Sequence, residues 1–349
     1  MIGRLRWARY GKRCGVGRAK PTIEDVAERA GVSRSSVSRV MNNAPGASPQ
    51  VRDRVRRAMA DLGYEPDQTA RALASGRQRA VDVVAVTNGP VIGWLGSHPY
   101  YSRVLAGVIS ALEGTDVQVR VQALSNPDDF EALDAIAARA TVGAVLADVP
   151  LAMALRFQQR CRRVVSLAAT SPSVPAVEAD NAGGVRAAVA YLYRSGRRRI
   201  AAVHGPEYSA DARERRDGYL RAIREFGLPE FGERGDFRRE DGHRAARRLL
   251  AAHPEIDAMF VASDLMAAGA AQAVTALGRT IPDDISLVGF DDSVAAVCAN
   301  PPLTTMRMPV EQMAVAAIRV LLDGDVAFGH RQTLPVELVV RDSTVRVGQ

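Results

Sequence analysis

Cysteine is scarce in this chain, and Cys14, Cys161 and Cys298 stand apart from one another with neither paired nor metal-type spacing. That excludes a disulfide scaffold and a cysteine-bound zinc site, and it points to a reducing compartment, the cytoplasm by default. Long apolar runs are absent too. No stretch approaches a membrane span, and residues 1–20 are basic without an apolar h-region, so they do not read as a secretory signal. Catalytic signatures are equally missing. No G-x-G-x-x-G follows the first apolar run of the body, and there is no P-loop, no G-x-S-x-G and no H-E-x-x-H. His98, His204, His243, His253 and His330 are scattered and read as surface or structural residues. Enzymatic chemistry has no visible seat, and no cofactor or metal is implied.

What the chain does have is positive charge in one place. Its 349 residues carry a net +7, yet up to Arg79 there are 17 Lys plus Arg against 7 Asp plus Glu, leaving 29 against 32 of the totals 46 and 39 for the rest. A basic module on a mildly acidic body fits a nucleic-acid reader joined to something that does not touch nucleic acid. The length suggests two or three domains, and nearly half the residues are apolar, enough for normal cores. The extension at residues 1–20, with Arg4, Arg6, Arg9, Lys12 and Arg13, reads either as a phosphate-contacting arm or as a disordered tail.

The basic part is organised around residues 22–42, TIEDVAERAGVSRSSVSRVMN. Thr22 with Asp25 three residues on opens a helix in the manner of a capping box, and Gly31 ends it. Ser33 is placed to cap a second helix that turns Val37, Val40 and Met41 inward. Its outward set is Arg34, Ser35, Ser36, Ser38, Arg39 and Asn42, donors able to reach base edges or phosphates from a major groove. Ser48 and Pro49 open a third helix, whose inward set is Val51, Val55, Ala58, Met59 and Leu62 and which Gly63 closes. Three short helices make a headpiece over residues 21–66. A linker at 67–79 follows, with one marginal helix over residues 68–75 that carries Arg71 and exposes Leu73. Leu73 is either covered by the body or a wedge for the minor groove.

From residue 80 short apolar runs alternate with longer helical stretches. Strands are expected at residues 81–86, 117–123, 144–147, 163–167, 200–204, 258–262 and 286–290, with helices between them near 102–112, 128–140, 181–195, 212–226, 239–253 and 264–277. That repetition predicts parallel sheets with helices on both faces, and its length predicts two doubly wound α/β subdomains with a ligand crevice between them.

At this point the sequence resembles the lactose/galactose repressor (LacI/GalR) family of bacterial transcription regulators. Residues 22–42 are similar to its headpiece signature and VRDRVRRAMADLGYEPDQTARALASGR (51–77) to its third helix and hinge. SDLMAAGA (263–270), IPDDISLVGFDDS (281–293) and PPLTTMRMP (301–309) are similar to core and crevice signatures, and LPVELVVRDST (334–344) to its closing strand. The resemblance implies a small all-α helix-turn-helix headpiece plus an α/β periplasmic-binding-protein-like body of two doubly wound parallel-sheet subdomains. The body spans 80–349, with an N-subdomain of about 80–178 and 307–334 and a C-subdomain of about 179–305 and 335–345. It implies a homodimer on a pseudo-palindromic double-stranded DNA operator, with a dimer of dimers left open, and Leu73 as a minor-groove wedge over a deformable central step. The DNA-facing set is then Thr22, Ser33, Arg34, Ser35, Ser36, Ser38, Arg39 and Asn42, with Arg71 and Leu73 from the hinge. On the ligand side Arg215 matches the family's effector-binding arginine, Asp291 its hydroxyl-gripping aspartate, and Phe237 the place of a stacking ring. Tyr100, Asp148, Ser263 and Asp264 are neighbours. Each also has a plainer reading: Arg215 as a solvated helix arginine, Asp264 and Asp291 as helix caps, Phe237 and Tyr100 as core.

The chain departs from the family pattern at Asp67, where the hinge entrance usually has Asn, at Arg197 in place of His, and at Ala168 in place of a polar residue. A regulator controlled by a sugar effector is the leading reading, with a nucleobase or nucleoside as the alternative effector. A sugar-binding protein without a DNA role has no use for the basic headpiece, and a purely architectural DNA binder has no use for a crevice.

Overall fold

The computed structural model describes residues 21–41, 47–64, 78–86, 98–168, 170–324 and 326–345. The chain forms two compact units, Met1–Ser75 and Gly76–Gln349.

The first unit holds α1 (Ile23–Ala30), α2 (Arg34–Met41) and α3 (Pro49–Leu62). A full capping box starts α1: Asp25 N donates to Thr22 Oγ1 at 3.3 Å while Thr22 N donates back to the Asp25 carboxylate at 2.7 Å. Gly31 ends that helix at φ 62°, a left-handed cap that glycine adopts without a Cβ clash. Ser33 Oγ accepts from Ser36 N at 3.2 Å to open α2, and Ser48 Oγ accepts from Val51 N at 3.3 Å to open α3 behind Pro49. Val26, Val37 and Val55, one from each helix, are fully buried at the centre, with Ala27, Ala30, Val40 and Ala58 around them. None of these helices is long enough to persist alone in water, so this shared core is what holds the three together. Asn42, Arg71 and Leu73, like residues 1–20, lie outside the described residues.

The second unit has two lobes. The first contains β1 (Ala80–Val86), α4 (Pro99–Leu112), β2 (Gln118–Leu124), α5 (Phe130–Arg139), β3 (Gly143–Ala147), α6 (Leu151–Arg160), β4 (Val164–Ser166) and β5 (Ala176–Ala179). The second contains α7 (Asn181–Arg194), β6 (Ile200–His204), α8 (Ala210–Glu225), β7 (Gly232–Arg234), α9 (Arg239–Ala252), β8 (Ala258–Val261), α10 (Asp264–Ala276), β9 (Ser286–Asp291), α11 (Val294–Cys298) and β10 (Thr304–Arg307). The chain then returns through α12 (Val310–Asp323) and β11 (Arg331–Leu334) to the first lobe and ends with β12 (Glu337–Val339) on the second. Each lobe is built on a six-stranded sheet, ordered β11-β5-β4-β3-β1-β2 in one and β12-β10-β9-β8-β6-β7 in the other. Pairing is parallel throughout except that β12 runs antiparallel to β10. Every residue of β1, β3, β6, β8 and β9 is buried, as a sheet covered by helices on both faces requires. The chain therefore crosses between lobes at Asp180, at Met308–Pro309 and at Pro335–Val336. In both lobes the parallel strands end toward the crevice between them.

Several element ends lie one or two residues from the sequence reading, and two helices start earlier than expected because of their caps. Pro99, Tyr100 and Tyr101 are the first turn of α4 rather than a turn before it, because His98 Nδ1 accepts from Tyr100 N and Pro99 is pre-set for the first helical position. Likewise α8 begins at Ala210, where the Ser209 hydroxyl caps it.

Candidate functional site

Strand ends and helix starts supply the walls of one cavity between the lobes. His98, Tyr100 and Tyr101 come from the start of α4 and Asp148 from just after β3. Facing them are Ser209, Asp211 and Arg215 from α8, Phe237 after β7, Ser263 at the cap of α10, and Asp291 at the end of β9. Six of the seven residues expected from sequence thus meet there. The seventh, Asp264, is fully buried behind the wall. Its Oδ2 accepts from Ser293 N at 2.7 Å and its Oδ1 from Thr305 Oγ1 at 2.5 Å, so it holds the turn after Asp291 from behind. The plainer readings fare differently residue by residue. Arg215 is 4% exposed, not solvated, and Asp291 closes a strand, not a helix. Ser263, not Asp264, makes the capping bond of α10.

Arg215 organises the second-lobe wall. Its Nε donates to Asn181 Oδ1 at 2.8 Å and a terminal nitrogen donates to the Ala262 carbonyl at 2.7 Å. The same nitrogen lies 3.7 Å from Asp291 Oδ1, and the guanidinium sits 3.9 Å above the Phe290 ring. Asn181 in turn donates to Asp211 at 3.1 Å and to Glu214 at 2.9 Å, a linking role that a lone Asn after β5 does not announce in sequence. Backbone strain concentrates here as well. Of the four described non-glycine residues with positive φ, Asp148 (53°), Phe237 (57°) and Asp291 (118°) line the cavity and Asp292 adjoins it.

The electrostatics are those of carboxyls held out of water. Burial pushes Asp211 up to about 7, against the pull of Arg215. Burial likewise raises Asp148, and it raises Asp264 with the added repulsion of Asp291. His98 is drawn down to about 4 by burial, its hydrogen bond to the Phe237 backbone working the other way, so it is uncharged at neutral pH. Burial, then Asp211 and Asp148, hold the Tyr100 phenol well above its usual range, and its hydroxyl is buried without a hydrogen-bond partner. His98, Tyr101, Ser209 and Asp211 were not singled out from sequence for this site. Asp211 looked like one more first-turn acid on a charged helix. Of the departures noted above, Asp67 lies outside the described residues, Arg197 donates to Ser286 Oγ at 3.0 Å and to the Asp283 carbonyl at 3.0 Å, and Ala168 is buried outside the cavity wall.

Asp211 makes the cavity's cost testable. The folded body keeps its proton at pH values where the unfolded chain, at 3.8, has lost it. Stability linked to it is full below about pH 4 and is lost as pH rises through about 7. Asp211→Asn removes that loss, and calorimetry at pH 8 is expected to show the variant more stable by about 1–3 kcal/mol, the gap closing toward pH 5. Parallel pH profiles for the two proteins would contradict it.

On the headpiece, Arg34, Ser35 and Arg39 are exposed and Ser36 and Ser38 partly so along one side of α2. Thr22 and Ser33 are spent on capping but stay exposed at the helix starts. Arg34 reaches only the exposed Glu24, 3.3 Å away, and such a pair releases its arginine at little cost.

Residues 22–67 match the model for bacterial regulatory proteins of the lacI family, and residues 189–344 that for a periplasmic binding protein-like domain. The HTH-type transcriptional regulator CelR of Thermobifida fusca is 36% identical over 93% of this chain and 99% of its own length. The chain belongs to the LacI family. It is thus a DNA-binding transcriptional regulator and not an enzyme. Among solved structures, a CelR–cellobiose complex superposes on this LacI-family chain with a TM-score of 0.68 at 33% identity, covering 93% of this chain and 99% of CelR. A lac repressor dimer bound to operator and an anti-inducer gives a TM-score of 0.69 at 29% identity, covering 94% and 100%. Among the described residues, no helix is long and apolar enough to cross a membrane.

Proposed function

We propose that this regulator is a cytoplasmic repressor that binds a pseudo-palindromic operator as a homodimer and is switched by a sugar in the crevice between its lobes. The observation that carries the effector reading is the convergence of Arg215, Asp148, Asp211 and Asp291 with the Phe237 ring in one buried cavity. Carboxylates and a guanidinium suit the paired donors and acceptors of a polyhydroxylated ring, and an aromatic face suits its apolar side. The relative CelR is solved with cellobiose. For the dimer, Leu277, Val294 and Val297 leave apolar surface exposed on and beside the adjoining helices α10 and α11.

The DNA reading rests on the exposed face of α2. Arg34 is proposed to pair with guanine, with Ser35, Ser36, Ser38, Arg39 and Asn42 on neighbouring bases and phosphates, Arg71 as a further DNA contact and Leu73 in the minor groove. Effector-driven closure of the lobes would order or melt the hinge at residues 67–79, and coupling of about 1–3 kcal/mol suffices for a useful switch. Arg103 is placed to transmit closure. From α4 it donates to both Glu311 carboxylate oxygens (2.6 and 2.8 Å), to the Met308 carbonyl at a crossing (2.9 Å) and to the Asp291 carbonyl across the crevice (2.8 Å).

Selection of genomic fragments by the full-length protein, followed by gel shifts with a set of mono- and disaccharides, tests both halves. Operator release by a sugar is expected. With the operator in hand, Arg34→Ala is expected to weaken binding by about 10- to 100-fold and to flatten preference at one base pair per half-site. Uniform weakening across all sequences would make Arg34 a phosphate contact instead.

A further inference from the structure

We infer that the crevice selects its effector by charge, taking a hydroxyl-rich molecule that is uncharged or positively charged and rejecting phosphorylated or carboxylated forms of the same sugar. The inference rests on reading the crevice as a sugar site. Three carboxyl groups, Asp148, Asp211 and Asp291, face the cavity against the single guanidinium of Arg215, and Asp211 adds its charge as pH rises through about 7. That guanidinium is already engaged by Asn181, the Ala262 carbonyl and Asp291. His98 adds no charge, because burial keeps it neutral. Two further arginines lie close outside the wall, but Arg103 is held by Glu311 and two carbonyls, and Arg213 by the Glu207 and Tyr208 carbonyls.

Helix N-termini are the other ready source of anion affinity, and here they are already answered from within. Ser209 and Ser263 cap α8 and α10 at the cavity wall, and each helix carries its own acid in the first turn, Asp211 and Asp264. A phosphate or carboxylate entering this space would leave its hydration for a wall of like charge whose positive poles are taken. A hydroxyl donor meets the opposite situation. Few protein donors reach the three carboxyl groups: Asn181 to Asp211, Ser209 beside Asp148, and Arg215 and the Asp264 backbone N–H beside Asp291. The buried Tyr100 hydroxyl is the exception, a donor of the wall that has no hydrogen-bond partner. The wall is short of donors, and hydroxyls or an ammonium supply them through charge-assisted bonds. Unpaired like charge is an effective way to refuse a competitor of the same shape.

The test uses the full-length protein and matched sets of glucose, galactose and cellobiose, each with its sugar acid, its phosphate ester and its amino derivative, titrated by calorimetry at pH 8, above the value of about 7 at which Asp211 loses its proton. A neutral member is expected to bind, its acid and phosphate at least about 100-fold more weakly, and its amino form as tightly or more so. In an Asp148→Asn/Asp211→Asn variant the penalty on the anionic forms is expected to shrink at least about tenfold. A loss of cavity shape alone would instead weaken all forms together. An acid or phosphate that binds as well as its neutral parent overturns the inference and leaves the sugar reading standing. Failure of every member of the set to bind removes the sugar reading, and the inference with it.

Discussion

Arg215→Ala is expected to abolish the response to effector and to lower the stability of the body by about 3–5 kcal/mol. The guanidinium is 4% exposed and lies among Asp291, Asn181, the Ala262 carbonyl and the Phe290 face. Its removal leaves a buried carboxylate without its cation and a carbonyl and an amide oxygen without their donor, the costly way to break a buried pair. Because folding and ligand binding would fail together, a second variant separates them. Arg215→Met with Asp291→Asn takes away both charges while keeping bulk over Phe290, and it is expected to recover most of the stability but none of the effector response. Chemical denaturation and an operator gel shift with the identified sugar read the two quantities. A doubly substituted protein that still released operator on sugar addition would take Arg215 and Asp291 out of the effector site.

A comparable loss is expected from a single methyl group at Gly269. This glycine of α10 faces α9, where a Cβ would collide with the Arg239 carbonyl and lie 2.9 Å from His243 N. Gly242 of α9 is pressed in the same way against the Met266 carbonyl. The two helices therefore touch backbone to backbone, and backbone cannot step aside as a side-chain end can. Overpacking of this kind typically costs about 1–3 kcal/mol, and Gly269→Ala is expected at or above the upper end. Since α10 carries Ser263 and Asp264 at its start, any shift of the helix also reaches the crevice. Gly278→Ala is the comparison. It sits at φ 74° with open space where a Cβ would go, so only the left-handed backbone penalty applies, about 1 kcal/mol. Equal denaturation midpoints for Gly269→Ala and the parent would mean that the helices separate easily.

Much of the fold is legible because its strands are buried on both faces. β1, β6 and β9 are runs such as AVDVVAV and IAAVH that fit little else, and α5, α7, α8 and α10 open on side-chain caps. Much of what escaped is short, polar or at an edge, although α12, 14 residues with an apolar buried face and no side-chain cap, went unread as well. β7 is the three residues GER and β11 is RQTL, neither fully buried, and nothing local marks either as a strand. α6 starts after Pro150 with no side-chain cap, so its opening carries no signal. In the cavity, Arg215, Asp291 and Phe237 were visible through family motifs, whereas Asp211 and Asn181 act through partners 30 or more positions away. Contacts of that range leave no trace in spacing. Asp264 shows the converse, a motif residue whose carboxylate is fully taken by Ser293 and Thr305.

The three crossings also set an order of events on the ribosome. The headpiece core, Val26, Val37 and Val55, is complete once α3 has emerged, so a local three-helix unit can form early. The first lobe cannot finish at that pace. Its sheet waits for β11 at residues 331–334 to pair with β5, and its outer layer waits for α12 to cover β3, β4 and β5. The second lobe waits longer still, for β12 at residues 337–339. A nascent or truncated chain thus gains the helices of its DNA reader long before it owns a working sensor, and a stop codon a few dozen residues early leaves a reader that nothing can switch.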